Sequence, residues 1–234
     1  MMRYKTEKPI VFLGDIHGEW HELGRRLKRY QITNSTIIAL GDIGMGFDRK
    51  TKELRNMKWL SDRLWKFNND IMFIRGNHDN REYFLRSKPV LEPVSNIVFV
   101  EDYSVLEGSG ELILMVGGAT SIDQKWRVEG SSWWRNENVA PLLLKTKEDL
   151  LSGKLPITIL ASHEAAYTPL VFNDNSFNEE VKRNIRADRL ILREVLDSCK
   201  GIKKAYNGHL HESYKHSYNG IEFHSLGIME LKGL

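Results

Sequence analysis

Three short segments of this chain end in residue types that bind metal ions: Gly14-Asp15-Ile16-His17-Gly18, Gly41-Asp42-Ile43-Gly44 and Gly76-Asn77-His78-Asp79. Further along, Ser162-His163-Glu164 and Gly208-His209-Leu210-His211 add imidazoles. Asp15, His17, Asp42, Asn77, His163, His209 and His211 make seven oxygen and nitrogen donors, more than one tetrahedral zinc ion can use. The mixture suits two borderline divalent ions side by side, sharing one carboxylate and activating water for attack. Asp42, from the central of the three early segments in sequence order, is the expected bridge. Asp15 and His17, like His209 and His211, lie two residues apart, which in an extended turn aims both side chains at one point. The flanking glycines are expected to let the backbone pass an ion without a Cβ in the way.

Positioning these residues falls to the elements before them. Runs 10–13, 36–40 and 71–74 read as buried strands, each ending at a glycine-containing turn. Between them, Trp20, Leu23, Leu27 and Tyr30 recur at helical spacing, as do Leu54, Met57, Leu60, Leu64 and Phe67. This β-α-β-α-β order predicts a parallel sheet, whose carboxyl ends are where ligands bind.

Runs 97–100, 104–106 and 112–116 read as an antiparallel meander, and 157–161 as a further strand. Residues 179–198 read as a long helix. Strand-like runs 204–206, 214–218 and 221–224 follow, the last two joined by the hairpin dipeptide Asn219-Gly220. Without repeats or linkers, 1–234 reads as one domain, with 117–151 and 169–178 as loops on the substrate side. Trp126, Trp133 and Trp134 are read as packing a loop onto the core, with a cap stacking on an organic leaving group as the alternative.

The 234 residues are 41% hydrophobic and 28% charged, a globular composition that excludes a disordered tail or a disulfide mini-protein. A net charge of +3 does not point to nucleic acid, and the basic cluster at 25–29 sits at a helix C-terminus, where the dipole favours cations. No signal-peptide or membrane-length apolar run is present, and the single Cys199 fits a reducing compartment, so a cytoplasmic protein is expected. His21, His216 and His224 fall outside the motifs and read as surface or satisfied core residues.

Taken in order, Asp-x-His, Gly-Asp, Gly-Asn-His-Asp, a later His and Gly-His-x-His resemble the calcineurin-like metallophosphoesterases, from Asp15 to His211. The resemblance implies a four-layer αββα sandwich, two mixed β-sheets packed face to face and flanked by helices. It implies one metal on Asp15, His17, Asp42 and His211 and a second on Asp42, Asn77, His163 and His209. Manganese is the expected ion, with iron, zinc, cobalt or nickel also compatible. A metal-bridging hydroxide would attack phosphorus while His78 protonates the leaving group and Asp79 orients that imidazole. Asn77 and His78 would also contact the phosphate of a phosphoprotein, nucleotide or other small phosphoester.

This chain departs from the family's protein- and dinucleotide-cleaving members after Asp42. Their Asp-Arg-Gly is replaced by Ile43-Gly44-Met45-Gly46-Phe47-Asp48-Arg49, so the substrate arginine is either missing or displaced to Arg49. Asp79 stands where that branch has Glu. The alternative to an enzyme is a catalytically silent scaffold of the same fold that binds a protein partner.

Overall fold

In the computed structural model, which describes residues 1–85, 90, 94–170 and 177–234, the apolar runs nearest the N-terminus are strands with every residue buried. After the short β1 (Arg3–Lys5), strands β2 (Ile10–Leu13), β3 (Thr36–Ala39), β4 (Asp70–Phe73) and β5 (Ile97–Phe99) pair in parallel. Helices α1 (Trp20–Arg29) and α2 (Lys50–Lys66) connect the first three of these four.

A second, seven-stranded sheet is built from β6 (Ser104–Gly108), β7 (Glu111–Val116), β8 (Ile159–Ser162), β9 (Lys204–Asn207), β10 (Tyr214–Tyr218) and β11 (Ile221–Ser225), together with β1. Its order is β1-β6-β7-β8-β9-β11-β10, and β7, β8, β9 and β11 run parallel. Strand β12 (Leu231–Gly233) returns to the first sheet, giving β12-β2-β3-β4-β5. Helices α3 (Leu144–Leu151) and α4 (Glu179–Ser198) complete the elements.

Three cores define four layers. Ile10, Phe12, Ile38, Leu40 and Met72 of one sheet meet Ile113, Met115, Ile159 and Tyr206 of the other, and Phe12 stacks on Tyr206 at 3.9 Å. On the outer face of the five-stranded sheet, Leu23, Leu27, Met57, Leu60 and Leu64 cover Ile37 and Phe73. Leu150, Leu192, Val195 and Leu196 do the same for the other sheet. The expected αββα sandwich of two mixed sheets is thus the fold. Side chains of this size each contribute about 1.5–3 kcal/mol on burial, which keeps both rims rigid enough to aim their loops.

One expectation about topology needs correction. The meander over 97–116 is not one: β5 pairs in parallel with β4 in the first sheet, and only β6 and β7 form an antiparallel pair. Alternation along a strand reports which face is buried, not which neighbour supplies the hydrogen bonds. The chain ends also exchange sheets, β1 joining β6 and β12 joining β2, both too short to stand out in sequence. Within 117–151, α3 appears as a helix. Of the loop expected at 169–178, residues 171–176 lie outside the described residues.

Candidate active site

The carboxyl ends of β2, β3 and β4 and those of β8 and β9 open onto one rim, where the five donor segments meet. Asp15, His17, Asp42 and His211 offer ligand atoms all within 4.8 Å of one another, and Asp42, His163 and His209 do likewise. Asp42 is common to both groups. Asn77 joins the second through Oδ1, 2.9 Å from His163 Nε2.

The turns are not extended, as the two-residue spacing suggested. His17, Asp42, His209 and His211 have φ values of 49°, 46°, 64° and 56°, in the left-handed region that non-glycine residues rarely occupy. Such strain persists only where the surroundings over-determine it. The backbone does so here: Ile16 and His17 N–H donate to Asp42 O at 3.0 and 2.7 Å, and His209 N–H donates to the Asp15 carboxylate at 3.0 Å. Gly41 and Gly76 make room for the ligand side chains themselves. A Cβ on Gly41 would lie 2.3 Å from His163 Nδ1, and one on Gly76 2.1 Å from Asp42 Oδ1.

Hydrogen bonds settle which atoms face the site. His163 Nδ1 donates to Leu40 O at 2.6 Å, which aims Nε2 at the site. The Asn77 amide donates from Nδ2 to Ser121 Oγ at 2.9 Å, which turns Oδ1 inward. His163 Nε2 therefore faces two oxygen acceptors, Asn77 Oδ1 at 2.9 Å and Asp42 Oδ1 at 3.2 Å. His17 Nε2 and His211 Nε2 are 3.0 Å apart, with Asp15 Oδ2 at 3.1 Å from the latter. Asp42 Oδ2 is buried without a partner. Imidazole nitrogens converging with amide and carboxylate oxygens, one of these oxygens orphaned, fit a pair of divalent cations.

Electrostatics follow the same crowding. Burial opposes ionisation of Asp42, but His163, His78 and His17 hold its carboxyl well below the usual range. His209 is pushed down to about 3, chiefly by burial and then by His163. Burial also lowers His78, against the pull of Asp42.

Asp79 makes no hydrogen bond to the His78 imidazole among the described residues. It is fully buried, and its carboxylate accepts from four backbone N–H groups: Ile43 (3.1 Å), Gly44 (2.8 Å), Met45 (3.0 Å) and Gly76 (2.8 Å). It fastens the Asp42 loop to the Asn77 turn. The polar side chain beside the His78 imidazole is Arg127, with Nη2 3.5 Å from Nε2. Asp123 aligns this guanidinium through two bonds of 2.8 and 2.6 Å. Arg49 lies exposed at the N-cap of α2, outside the cavity lining.

That cavity has a volume of about 700 Å³ over the donors, with Arg127, Glu164 and Arg189 on its polar side and Phe47, Ile122, Phe177, Ile185 and Leu210 on its apolar side. Trp134 is buried edge-on against Phe47 at 5.3 Å, as the packing reading expected, whereas Trp126 is exposed. Sequence reasoning missed Arg127, Ser121, Glu164 and Glu137. Glu137 accepts from Ser121 Oγ at 2.5 Å, and burial pushes its carboxyl up to about 7. Of the four, only Glu164 had a signal, its place directly after His163.

Fold and site together define the class: a four-layer α/β sandwich with a candidate two-metal centre at the carboxyl rim of both sheets. The family model of the calcineurin-like phosphoesterases matches residues 8–213, and the chain belongs to that family. Among solved structures, a dimetal phosphatase from Danio rerio is 12% identical with a TM-score of 0.53, over 95% of this chain and 88% of that one. GAP50, described as the anchor in the inner membrane complex of Plasmodium, is 12% identical with a TM-score of 0.50, over 94% of this chain and 72% of that one. Phosphopantetheinyl hydrolase from Mycobacterium tuberculosis is 15% identical with a TM-score of 0.47, over 95% and 91%. At these identities the likeness is one of fold. No helix among the described residues is long and apolar enough to cross a membrane.

Proposed function

We propose that this protein hydrolyses phosphate esters with two divalent ions, one held by Asp15, His17, Asp42 and His211 and the other by Asp42, Asn77, His163 and His209. The observation that carries the proposal is the convergence of His163 Nε2 with Asn77 Oδ1 at 2.9 Å and Asp42 Oδ1 at 3.2 Å, beside the unpartnered Asp42 Oδ2. Two such ions would lower the pKa of a water at neutral pH and neutralise the charge of the phosphate. Manganese suits the mixed nitrogen and oxygen set, as would iron, zinc, cobalt or nickel.

The chain's own groups do the rest. Arg127, braced by Asp123, holds a phosphate oxygen beside His78 and takes the role that Arg49 was expected to fill. The His78 ring donates a proton to the leaving oxygen, and an anionic substrate raises its proton affinity against the effect of burial. Asp79 holds the loop that presents Asp42. The apolar wall at Phe47 and Ile122 admits an organic leaving group. We read 1–234 as one domain in the cytoplasm, in line with the lone buried Cys199.

The test is hydrolysis of aryl phosphate monoesters and bis-aryl diesters by manganese-loaded protein, together with the metal content. Two ions per chain and turnover of either ester support the reading. Two bound ions without turnover of any ester favour the scaffold.

A further inference from the structure

We infer that the outer layer formed by α1 and α2 is a docking groove for single-stranded nucleic acid. The two helices carry ten Lys and Arg against three Asp and Glu, and one of the acids, Glu53, is buried and bonded to Tyr83. They hold a net +7 in a chain of net +3, so the rest of the molecule is net negative by four. Charge on the opposite layer shows that this is not a general property of the helices: α4 has five residues of each sign. A cluster that looked like dipole stabilisation at the end of α1 is thus half of a larger surface.

The surface is concave. A cavity of about 450 Å³ runs between the helices, lined by Arg25 and Lys28 on one side and Trp59, Arg63 and Lys66 on the other, with no carboxylate in its lining. Gly24 lets the Trp59 ring lie against α1, because a Cβ there would lie 2.7 Å from that ring. The Arg63 guanidinium sits 5.2 Å above that indole, and His21 meets its edge at 4.3 Å. Arg25 shares Glu22 with Arg26, whereas Lys28, Arg63 and Lys66 have no carboxylate partner among the described residues.

Along α2, Lys52, Arg55, Trp59, Arg63 and Lys66 recur at spacings of three and four, a stripe on one face about 20 Å long. One phosphate cannot use cations spread over that distance. A bilayer surface is too broad to enter a cleft between two helices. A nucleic-acid strand presents phosphates in series and planar bases between them, which matches cations interleaved with an aromatic ring.

The inference does not rest on the metal site, and it is tested on the full chain in EDTA, where no hydrolysis interferes. Fluorescence anisotropy with a labelled mixed-sequence 12-nucleotide single strand should show saturable binding at low salt. Three or four phosphates engaged give a log–log salt slope of about −2 to −3. Lys28→Glu with Lys66→Glu should weaken binding at least tenfold, as should the independent pair Arg25→Glu with Arg63→Glu, while Arg183→Glu on α4 leaves it unchanged. Circular dichroism should be the same for all of these variants. Absence of binding, binding by both groove pairs unchanged from the parent chain, or tighter binding to duplex, polyglutamate or anionic vesicles than to the single strand would overturn it.

Discussion

Asn77 donates its Nδ2 hydrogen to Ser121 Oγ at 2.9 Å, and that one bond turns the Asn77 carbonyl, rather than its amine, toward His163 and Asp42. Ser121 is itself held by Glu137, which accepts from its hydroxyl and from its backbone N–H at 2.8 Å. Without the hydroxyl, the amide is free to flip and offer a donor where a cation's ligand is needed. Ser121→Ala should therefore weaken the second metal site by roughly 10–100-fold, as loss of an outer-shell partner does. Calorimetric titration with manganese checks this; an unchanged affinity would mean that Asn77 needs no such brace.

Asp42 is the one carboxylate shared by both donor groups. Asp42→Asn should abolish turnover and reduce the bound metal from two ions to one or none, whereas Asn77→Ala should cost mainly the second ion. Metal analysis after gel filtration distinguishes the two variants, and their circular dichroism should match that of the parent chain.

The pairing of Arg127 with Asp123 predicts a split in kinetic constants. If the guanidinium holds the phosphate in the ground state and the transition state alike, Arg127→Ala raises KM by about 10–100-fold with a smaller change in kcat. Arg49→Ala, on the exposed N-cap, should leave both constants unchanged. Steady-state kinetics on an aryl phosphate decides.

Asp79 joins two loops through four backbone N–H groups and is wholly buried. Removing it with Asp79→Ala leaves those donors without partners, at a cost of about 2–4 kcal/mol. Thermal denaturation in EDTA should show a lower Tm irrespective of metal. An unshifted Tm would return Asp79 to the catalytic role first expected of it.

Asp188 supplies a pH dependence separate from the metal centre. Burial pushes its carboxyl up to about 6 from a usual 3.8, although it accepts from Thr120 Oγ1 (2.6 Å) and Val139 N–H (3.0 Å). Between those two values the unfolded chain releases the proton and the folded chain keeps it. Stability from this group is thus greatest below about pH 4 and declines as pH rises to about 6, by on the order of 2–3 kcal/mol. In urea titrations, Asp188→Asn should gain stability relative to the parent chain by that amount across the same interval, and a constant difference would refute the assignment.

Most of the strands, the long helices and the order of the seven metal-type donors are legible in the sequence, because these are local properties. A run such as Ile10-Val11-Phe12-Leu13, β-branched at its start and bounded by Pro9 and Gly14, reads as a strand buried on both faces, and Asp-x-His or Gly-His-x-His keeps its residue types wherever the chain goes. What only the tertiary structure decided is whatever depends on partners distant along the chain. The sheet that β5 joins and the exchange of β1 and β12 are set by hydrogen bonds between remote strands. The same holds for Asp79, whose carboxylate is claimed by residues 43–45, and for Arg127, which reaches His78 across 49 positions. Left-handed backbone at His17, Asp42, His209 and His211 also had no local signature, because each costs energy that only the packed rim repays. The basic face of α1 gained a meaning beyond its dipole only when α2 was seen to lie beside it.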